Sequence, residues 1–410
     1  DVSPCKKRLT VLLGAGTMMD VTTLSCHSIT HSVIGKQQGQ FGPNGWEEVP
    51  FLHFIYDKLN AYYSRKNESV NFEDIFHALE MWSSLKATEN EQTAKNFRSV
   101  FGMFCDLKED FAQVSQTLIY TGTRDLIDTV IKNVAKFENN VYKNAWFPNF
   151  FQALQEQAPL DIFTLNYDTW LEQIISDYND GFSPICDTHQ KFSANQLFSA
   201  SDWCSTINHL HGQICFTSHL PTGSIRFLTD GWYKANSYDI IENLRIHPKH
   251  LGYMAKTQAA EHVFQYPIIT GLRKNDKIVI PPFDAYYMHL YQRLRENKNL
   301  LIIGYGFGDL YINALLNQFR SFHGDEGKVV CVGYLSPDEW ICSMSDMPFS
   351  ITMKQTIYTL FQDFELSCRF LGTEFCDCID SSDMKSKLYL NGFKSVATSH
   401  IKDILHFYNY

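Results

Sequence analysis

The sequence of 410 residues lacks several features that would assign it to a specialised class of protein. It has no run of about 18 apolar residues of the kind that crosses a membrane. Asp1 to Arg8 lead into a strand-like run without the apolar centre of a secretory signal. It also lacks an excess of positive charge: 35 Lys and Arg stand against 45 Asp and Glu, for a net charge of −10. This balance argues against nucleic-acid binding over the whole chain, although a local basic patch is compatible with it. We expect a cytoplasmic protein.

Closely spaced cysteine pairs are also scarce. Of the 11 cysteines, only Cys376 and Cys378 lie close together in the chain. An odd number at irregular spacing in a large chain favours reduced thiols that pack as small hydrophobic residues. The sequence contains no internal repeat and no low-complexity segment, and its 44% of hydrophobic residues is enough to form a sizeable core. These features together indicate a folded, reduced protein.

Short apolar runs alternate with helical periodicity along the chain. The best strand candidates are Lys6–Leu13, the run that begins at Leu160, Thr206–Phe216, Asn299–Ile303 and Lys328–Tyr334. Helical patterns separate or follow them at Thr169–Tyr178, Phe283–Asn297 and Leu310–Phe322. Strands that are apolar on both faces and alternate with helices predict an α/β fold, a Rossmann-like doubly wound and mostly parallel sheet.

The pattern divides the chain into three parts. We expect residues 1–45 and 146–335 to form the Rossmann-like core. Residues 46–145 are dominated by helical periodicity and form an inserted subdomain, expected to cap the site or to contact another subunit. Residues 336–410 form a mostly helical extension, with Met353–Phe364 and Met384–Tyr408 as its best helices.

Four polar or glycine-bearing segments follow predicted strands. Ligands of open α/β sheets bind outside the carboxyl ends of the strands, so these segments are expected to line one crevice. They are Gly14-Ala15-Gly16-Thr17, Asn166-Tyr167-Asp168, His209-Leu210-His211-Gly212 and Gly304-Tyr305-Gly306-Phe307-Gly308-Asp309.

Each segment also has a simpler structural interpretation. Glycines after a first strand bring backbone amides close to a phosphate, but they serve plain turns at least as often. His211 is a candidate general base, and His209, two residues earlier on the same face of a strand, is its competitor. Asp168 and Asp309 each precede a helical pattern, where an aspartate also acts as an ordinary N-cap.

In this order, the four segments resemble those of the sirtuin superfamily, over roughly residues 9–335. The resemblance implies that Gly14, Ala15, Gly16 and Thr17 cradle the phosphates of NAD. It implies that Asn166 and Asp168 hold the side of the nicotinamide ribose and that His211 is the general base. Gly304, Gly306 and Asp309 would contact the adenosine half.

The chain departs from the sirtuin deacylases at three points. It has no pair of cysteines in the Cys-x-x-Cys spacing of their zinc module, so no structural zinc is predicted. Thr17 replaces the serine common after Gly-Ala-Gly, and the Pro-Asp-Phe-Arg loop is absent. What remains resembles the bacterial branch that hydrolyses NAD to stop phage propagation by abortive infection. Within that branch, a chain of this length with a large helical insertion resembles the partners of HerA-type hexameric ATPases, which implies an oligomeric ring.

The sequence therefore favours a zinc-independent NAD glycohydrolase in which Asn166 and His211 activate water or a ribose hydroxyl. The products would be nicotinamide and ADP-ribose. Two alternatives stay open: a protein deacylase or ADP-ribosyl transferase, and a ring component that binds NAD or ADP-ribose without turnover. A nuclease is less favoured, since no clustered metal ligands are evident.

Overall fold

A computed structural model describes most of the chain. The residues it describes are 7–42, 45–63, 69–87, 115–217, 232–243, 253–256, 262–271, 274–334, 378–381 and 384–410. The predicted helix Met353–Phe364 lies outside them. No helix within these ranges is long and apolar enough to span a membrane.

The strands fall into one large sheet and three small ones. In chain order they are β1 (Leu9–Leu13), β2 (Gln38–Gly42), β3 (Gly45–Val49), β4 (Leu160–Thr164), β5 (Tyr178–Asn179), β6 (Phe182–Pro184), β7 (His189–Phe192), β8 (Ser205–His209), β9 (Phe216–Thr217), β10 (Tyr233–Ala235), β11 (Tyr253–Lys256), β12 (His262–Gln265), β13 (Asn299–Ile303), β14 (Lys328–Val332), β15 (Cys378–Asp380) and β16 (Ser386–Tyr389). The large sheet has the order β15-β16-β14-β13-β1-β4-β8-β5. Its neighbours are parallel except for the antiparallel edge pair β15–β16.

The helices lie on both faces of this sheet and in the insertion. They are α1 (Cys26–Ile34), α2 (Phe51–Tyr63), α3 (Phe72–Ala87), α4 (Gln116–Ala135), α5 (Trp146–Gln157), α6 (Trp170–Ile174), α7 (Ala194–Phe198), α8 (Tyr238–Asn243), α9 (Phe283–Glu296), α10 (Leu310–Leu316), α11 (Phe319–His323), α12 (Phe393–Ser399) and α13 (Ile401–Tyr408).

Alternation along the buried strands explains the two-sided core. Leu12 packs with residues of α9, α10 and α11 on one face. Its neighbours Val11 and Leu13 pack with residues of α5, α12 and α13 on the other face. Successive strand side chains point to opposite faces, so a run that is apolar throughout buries both. The predicted Rossmann-like α/β fold is confirmed.

The insertion has a core of its own. Apolar residues of α2, α3 and α4 pack together, and α1, Ile214 and Ile268 from outside the insertion join them. A buried ion pair also connects the two parts, because Lys277 Nζ lies 3.0 Å from Glu80 Oε2 of α3. Breaking such a buried pair on one side only is costly, so this contact fixes the insertion against the loop that contains Lys277.

Two predicted helices differ from the structure. The pattern Thr169–Tyr178 is helical only over Trp170–Ile174, because the chain turns at Asp177 with a positive φ of 50° and Tyr178 joins the sheet next to β8. The pattern Met384–Tyr408 contains a strand before its two helices, since Ser386–Tyr389 pairs with β14. In both places pairing with a neighbouring strand outweighs helical periodicity. The proposed domain division itself stays a prediction.

Candidate functional site

The register of the sheet brings all four glycine-bearing and polar segments to one edge. Leu13 at the end of β1 is in register with Ile303 of β13 on one side and Thr164 of β4 on the other. Thr164 is in turn in register with His209 of β8. The chain runs outward from β1 through β4 to β8 and then returns to β13 on the other side of β1. The β1–β13 boundary is therefore the topological switch point, where doubly wound sheets form their ligand crevice.

The loops that follow β1 and β13 are in backbone contact. The amide of Gly14 donates to Ile303 O over 2.9 Å, and the amide of Gly16 donates to Gly304 O over 2.9 Å. Thr17 is buried, and its hydroxyl donates to Ile303 O over 3.0 Å. The glycines of the first segment thus permit the close approach of two loops. Their predicted contact with phosphates, like that of Ala15, stays a prediction.

Gly304 cannot be replaced without strain. Its φ is +62°, in the left-handed region, and a Cβ placed on it would lie 2.2 Å from Thr17 N. A Cβ on Gly14 would lie 2.5 Å from Gly304 O. A Cβ on Gly306 would meet no heavy atom within 4 Å, so Gly306 borders open space. The close contact of the two loops therefore requires glycine at positions 14 and 304, whereas Gly306 borders open space.

Asn166 lies next to the first glycine loop. Its side-chain amide donates to Gly14 O over 3.3 Å, and its backbone amide donates to Thr164 Oγ1 over 3.1 Å. The residue is partly exposed. An amide side chain at the end of β4 that also contacts the end of β1 is in position to orient a hydroxyl or a water in the crevice.

His211 forms a dyad with Asp309. Its Nε2 lies 3.2 Å from Asp309 Oδ2, and both side chains are almost fully buried. Because an ionised carboxylate only accepts hydrogen bonds, Nε2 carries the proton of the neutral ring and Nδ1 is left as the acceptor. Burial lowers the pKa of His211, helped by the positive charge of Lys274, although Asp309 opposes the shift. The result is an imidazole that is neutral and basic at Nδ1.

Asp309 has a second role as the N-cap of α10. Its Oδ1 accepts from the amides of Tyr311 and Ile312, at 3.0 and 3.1 Å. Burial raises the pKa of Asp309, but His211 and these amides lower it more, and the net pKa lies below its ordinary value. One oxygen therefore caps the helix and the other orients His211. The predicted contact of Asp309 with adenosine is untested, and the dyad is a contact that the sequence did not indicate.

His209, the competitor of His211, is occupied by two protein acceptors. Its Nδ1 lies 3.3 Å from Asn166 O and its Nε2 lies 3.0 Å from Glu172 Oε1. Burial alone would lower the pKa of His209, but Glu172 raises it more. Neither ring nitrogen is available to a substrate, so His211 is the better candidate for the base.

Asp168 lies just before α6. Its Oδ1 accepts from the amide of Trp170 over 3.0 Å, and the side chain is buried. Burial raises the pKa of Asp168 to about 6. This hydrogen bond to the first residue of α6 accounts for the side chain of Asp168 without a ligand, and its predicted contact with the ribose stays a prediction.

The insertion contributes a residue that the sequence did not single out. Glu73 of α3 pairs with Lys274 over 3.1 Å, and the charges of both act on the pKa of His211. Glu172 was missed as well, although it lies on α6, the short helix that follows Asp168. Helical spacing from Asp168 is the only signal for Glu172, whereas nothing in the sequence links Glu73 to the site.

The described residues contain no group of three or more His, Cys, Asp or Glu side chains that could hold a metal ion. The groups that the structure brings to this edge of the sheet are the amide of Asn166, the imidazole of His211 oriented by Asp309, and the backbone of two glycine loops. In other Rossmann-like α/β proteins, nucleotides bind at this switch point, so the fold is compatible with a nucleotide ligand.

Comparison with known proteins narrows this class. A family model described as the SIR2-like domain matches residues 161–339, from β4 to beyond β14. The matched range includes Asn166, His211 and Asp309. It supports a sirtuin-like family and implies that the chain binds or uses NAD. No curated protein matches the chain.

Proposed function

We propose that the protein is an NAD glycohydrolase that cleaves NAD to nicotinamide and ADP-ribose. The observation that carries this proposal is the buried His211–Asp309 dyad, with its 3.2 Å contact, at the edge of the sheet where Asn166 meets Gly14. The SIR2-like match supports NAD as the ligand of that edge. The sequence lacks the paired Cys-x-x-Cys module of the deacylases, which favours hydrolysis over deacylation.

In the proposed reaction, water attacks C1′ of the nicotinamide ribose while the C1′–N bond breaks. The electron pair of that bond leaves with nicotinamide, which departs as a neutral molecule because the pyridinium nitrogen of NAD is already cationic. Asn166 orients the water or a ribose hydroxyl, and Nδ1 of His211 takes the proton. Asp309 keeps the proton of His211 on Nε2 and stabilises the imidazolium that forms.

The test is to measure nicotinamide release from NAD by chromatography with His211→Ala and Asn166→Ala. Each variant should lose activity by a factor on the order of 100 or more while keeping the fold, since general base catalysis alone contributes about 100- to 10,000-fold. His323→Ala is a matched control. That histidine is partly buried and bonds to Leu294 O at the opposite end of the sheet. Full activity in both site variants would refute the mechanism.

The same assay separates the alternatives. A deacylase or ADP-ribosyl transferase would consume NAD only when an acylated or acceptor peptide is added. A ring component that binds NAD or ADP-ribose without turnover would show binding by calorimetry and no nicotinamide release.

We further propose that the hydrolase acts by NAD depletion in abortive infection against phage, as part of an oligomeric ring with a HerA-type ATPase. The support is the departure of the sequence from the sirtuin deacylases, together with its resemblance, in length and in the large helical insertion, to the partners of such ATPases. Two measurements test this proposal: the rate of NAD loss with and without the candidate ATPase, and the molecular mass of the complex that forms when the two proteins are mixed. Unchanged NAD loss together with no co-assembly would exclude the partner.

A further inference from the structure

His209 bridges the Asn166 loop and the helix behind it. Its ring lies between the backbone oxygen of Asn166, 3.3 Å from Nδ1, and Oε1 of Glu172, 3.0 Å from Nε2. The side chain is buried, with a relative exposure of 1% for the residue. Both contacts are to atoms that only accept hydrogen bonds, a carbonyl and a carboxylate. Both ring nitrogens must therefore carry protons for both bonds to form.

The surroundings of His209 favour this doubly protonated ring. Glu172 on α6 is buried, and although burial opposes its ionisation, His209 and Lys234 lower its pKa to about 2. The other charged groups that face His209 are Asp168, in the loop after β4, and Lys234 on β10, which is itself paired with Asp180. Nε2 of Gln213 donates to the same oxygen of Glu172 and also lies 3.0 Å from Nε2 of His209. The carboxylates outweigh the lysine, and the net pKa of His209 is raised.

We infer that His209 is a positioning residue, which holds the backbone of Asn166 in place for the reaction by donating from Nδ1 while Glu172 fixes its other nitrogen. The inference rests on the proposed function, in which Asn166 orients the attacking water or a ribose hydroxyl. His209 does not touch the substrate itself. A side chain displaced by about 1 Å from its productive position can cost about 100-fold in rate, so holding the Asn166 loop has a measurable effect.

The inference implies a bell-shaped dependence of activity on pH. His211 must be neutral to act as a base, so activity is lost as the pH falls through its pKa. His209 must be charged to make both bonds, so activity is lost as the pH rises through its own, raised pKa. The alkaline limb therefore reports His209 and the acidic limb reports His211.

Two conservative substitutions separate positioning from a merely structural role. Asn places its amide nitrogen near the position of Nδ1, and Gln places it near Nε2. We expect His209→Asn to keep the bond to Asn166 O and to stay within about tenfold of wild-type kcat. We expect His209→Gln to keep the contact with Glu172 but to lose on the order of 100-fold in kcat, with little change in KM for NAD. Both variants should lose the alkaline limb. His189→Gln, at a buried histidine that contacts Thr188 Oγ1, is the matched control and should keep it.

Equal kcat in the Asn and Gln variants, or higher kcat in the Gln variant, would overturn the inference, as would an alkaline limb that survives in both. A second measurement does not depend on activity or on the folding of a variant. Nitrogen NMR of the wild-type imidazoles at neutral pH should show two protonated ring nitrogens for His209 and one for His211. A singly protonated His209 would overturn the inference.

Absence of nicotinamide release from the wild-type protein would instead refute the proposed function, and the NMR result would still decide whether His209 makes both bonds.

Discussion

Replacing Asp309 by Asn tests the dyad most sharply, because it keeps one role of this residue and reverses the other. The amides of Tyr311 and Ile312 require an oxygen at the capping position of the side chain. In Asp309→Asn that oxygen is the carbonyl of the amide, so the NH₂ group faces Nε2 of His211. Because this NH₂ group donates a hydrogen bond, Nε2 of His211 must accept it. The proton of the neutral ring then moves to Nδ1, and the proposed base is lost.

The expected effect of Asp309→Asn is a loss of about 100- to 10,000-fold in kcat, the usual contribution of a general base. The residual activity should lack the acidic limb, because no base titrates. Asn caps helices about as well as Asp, so the free energy of unfolding should change by only a few tenths of a kcal/mol. Nicotinamide release across pH and unfolding in urea measure the two effects.

Asp309→Ala is the informative comparison. It removes the cap, at a cost of about 1 kcal/mol, but it leaves the imidazole free to keep its proton on Nε2. We therefore expect the Ala variant to be less stable than the Asn variant and yet more active. An Asn variant with activity within tenfold of wild type and an intact acidic limb would refute the reasoning, as would an Ala variant that is the less active of the two.

Two further predictions concern the charges around the site. Asp168 has a pKa raised from 3.8 to about 6, so the folded state binds a proton that the unfolded state has released, and wild-type stability falls as the pH rises through this interval. In urea unfolding, the free energy of unfolding of Asp168→Asn should equal that of wild type near pH 4 and exceed it by up to about 3 kcal/mol near pH 7. Equal free energies of unfolding at both pH values would contradict this prediction. Lys274 lowers the pKa of His211 and Glu73 raises it. In profiles of activity against pH, Lys274→Gln should therefore move the acidic limb to higher pH and Glu73→Gln to lower pH, and shifts in the same direction would exclude direct action on His211.

The parts of the fold that the sequence predicted are those set by local patterns. Runs such as Asn299–Ile303 are apolar on both faces, which is possible only in a sheet covered on two sides, and their ends carry the glycines and polar residues of the crevice. The contacts that give the site its chemistry are not local. His211 and Asp309 are 98 residues apart, and His209 and Glu172 are 37 apart. Only the packed fold brings these pairs together, so a sequence identifies the histidines without their partners.

The two histidines show how the fold separates residues that the sequence places on one face. In an extended strand, residues two apart point the same way, which made His209 the competitor of His211. β8 ends at His209, however, and the amide of Gly212 donates to His209 O over 3.1 Å, so the chain turns between them. His209 then faces Glu172 on α6, whereas His211 faces Asp309 at the start of α10. The ring of His209 lies between a carboxylate and a carbonyl, and each of these acceptors needs a protonated ring nitrogen. The ring of His211 lies where burial and the charge of Lys274 lower its pKa, which favours the neutral form. A single turn thus gives two identical side chains opposite protonation states, one suited to hold Asn166 and the other suited to accept a proton.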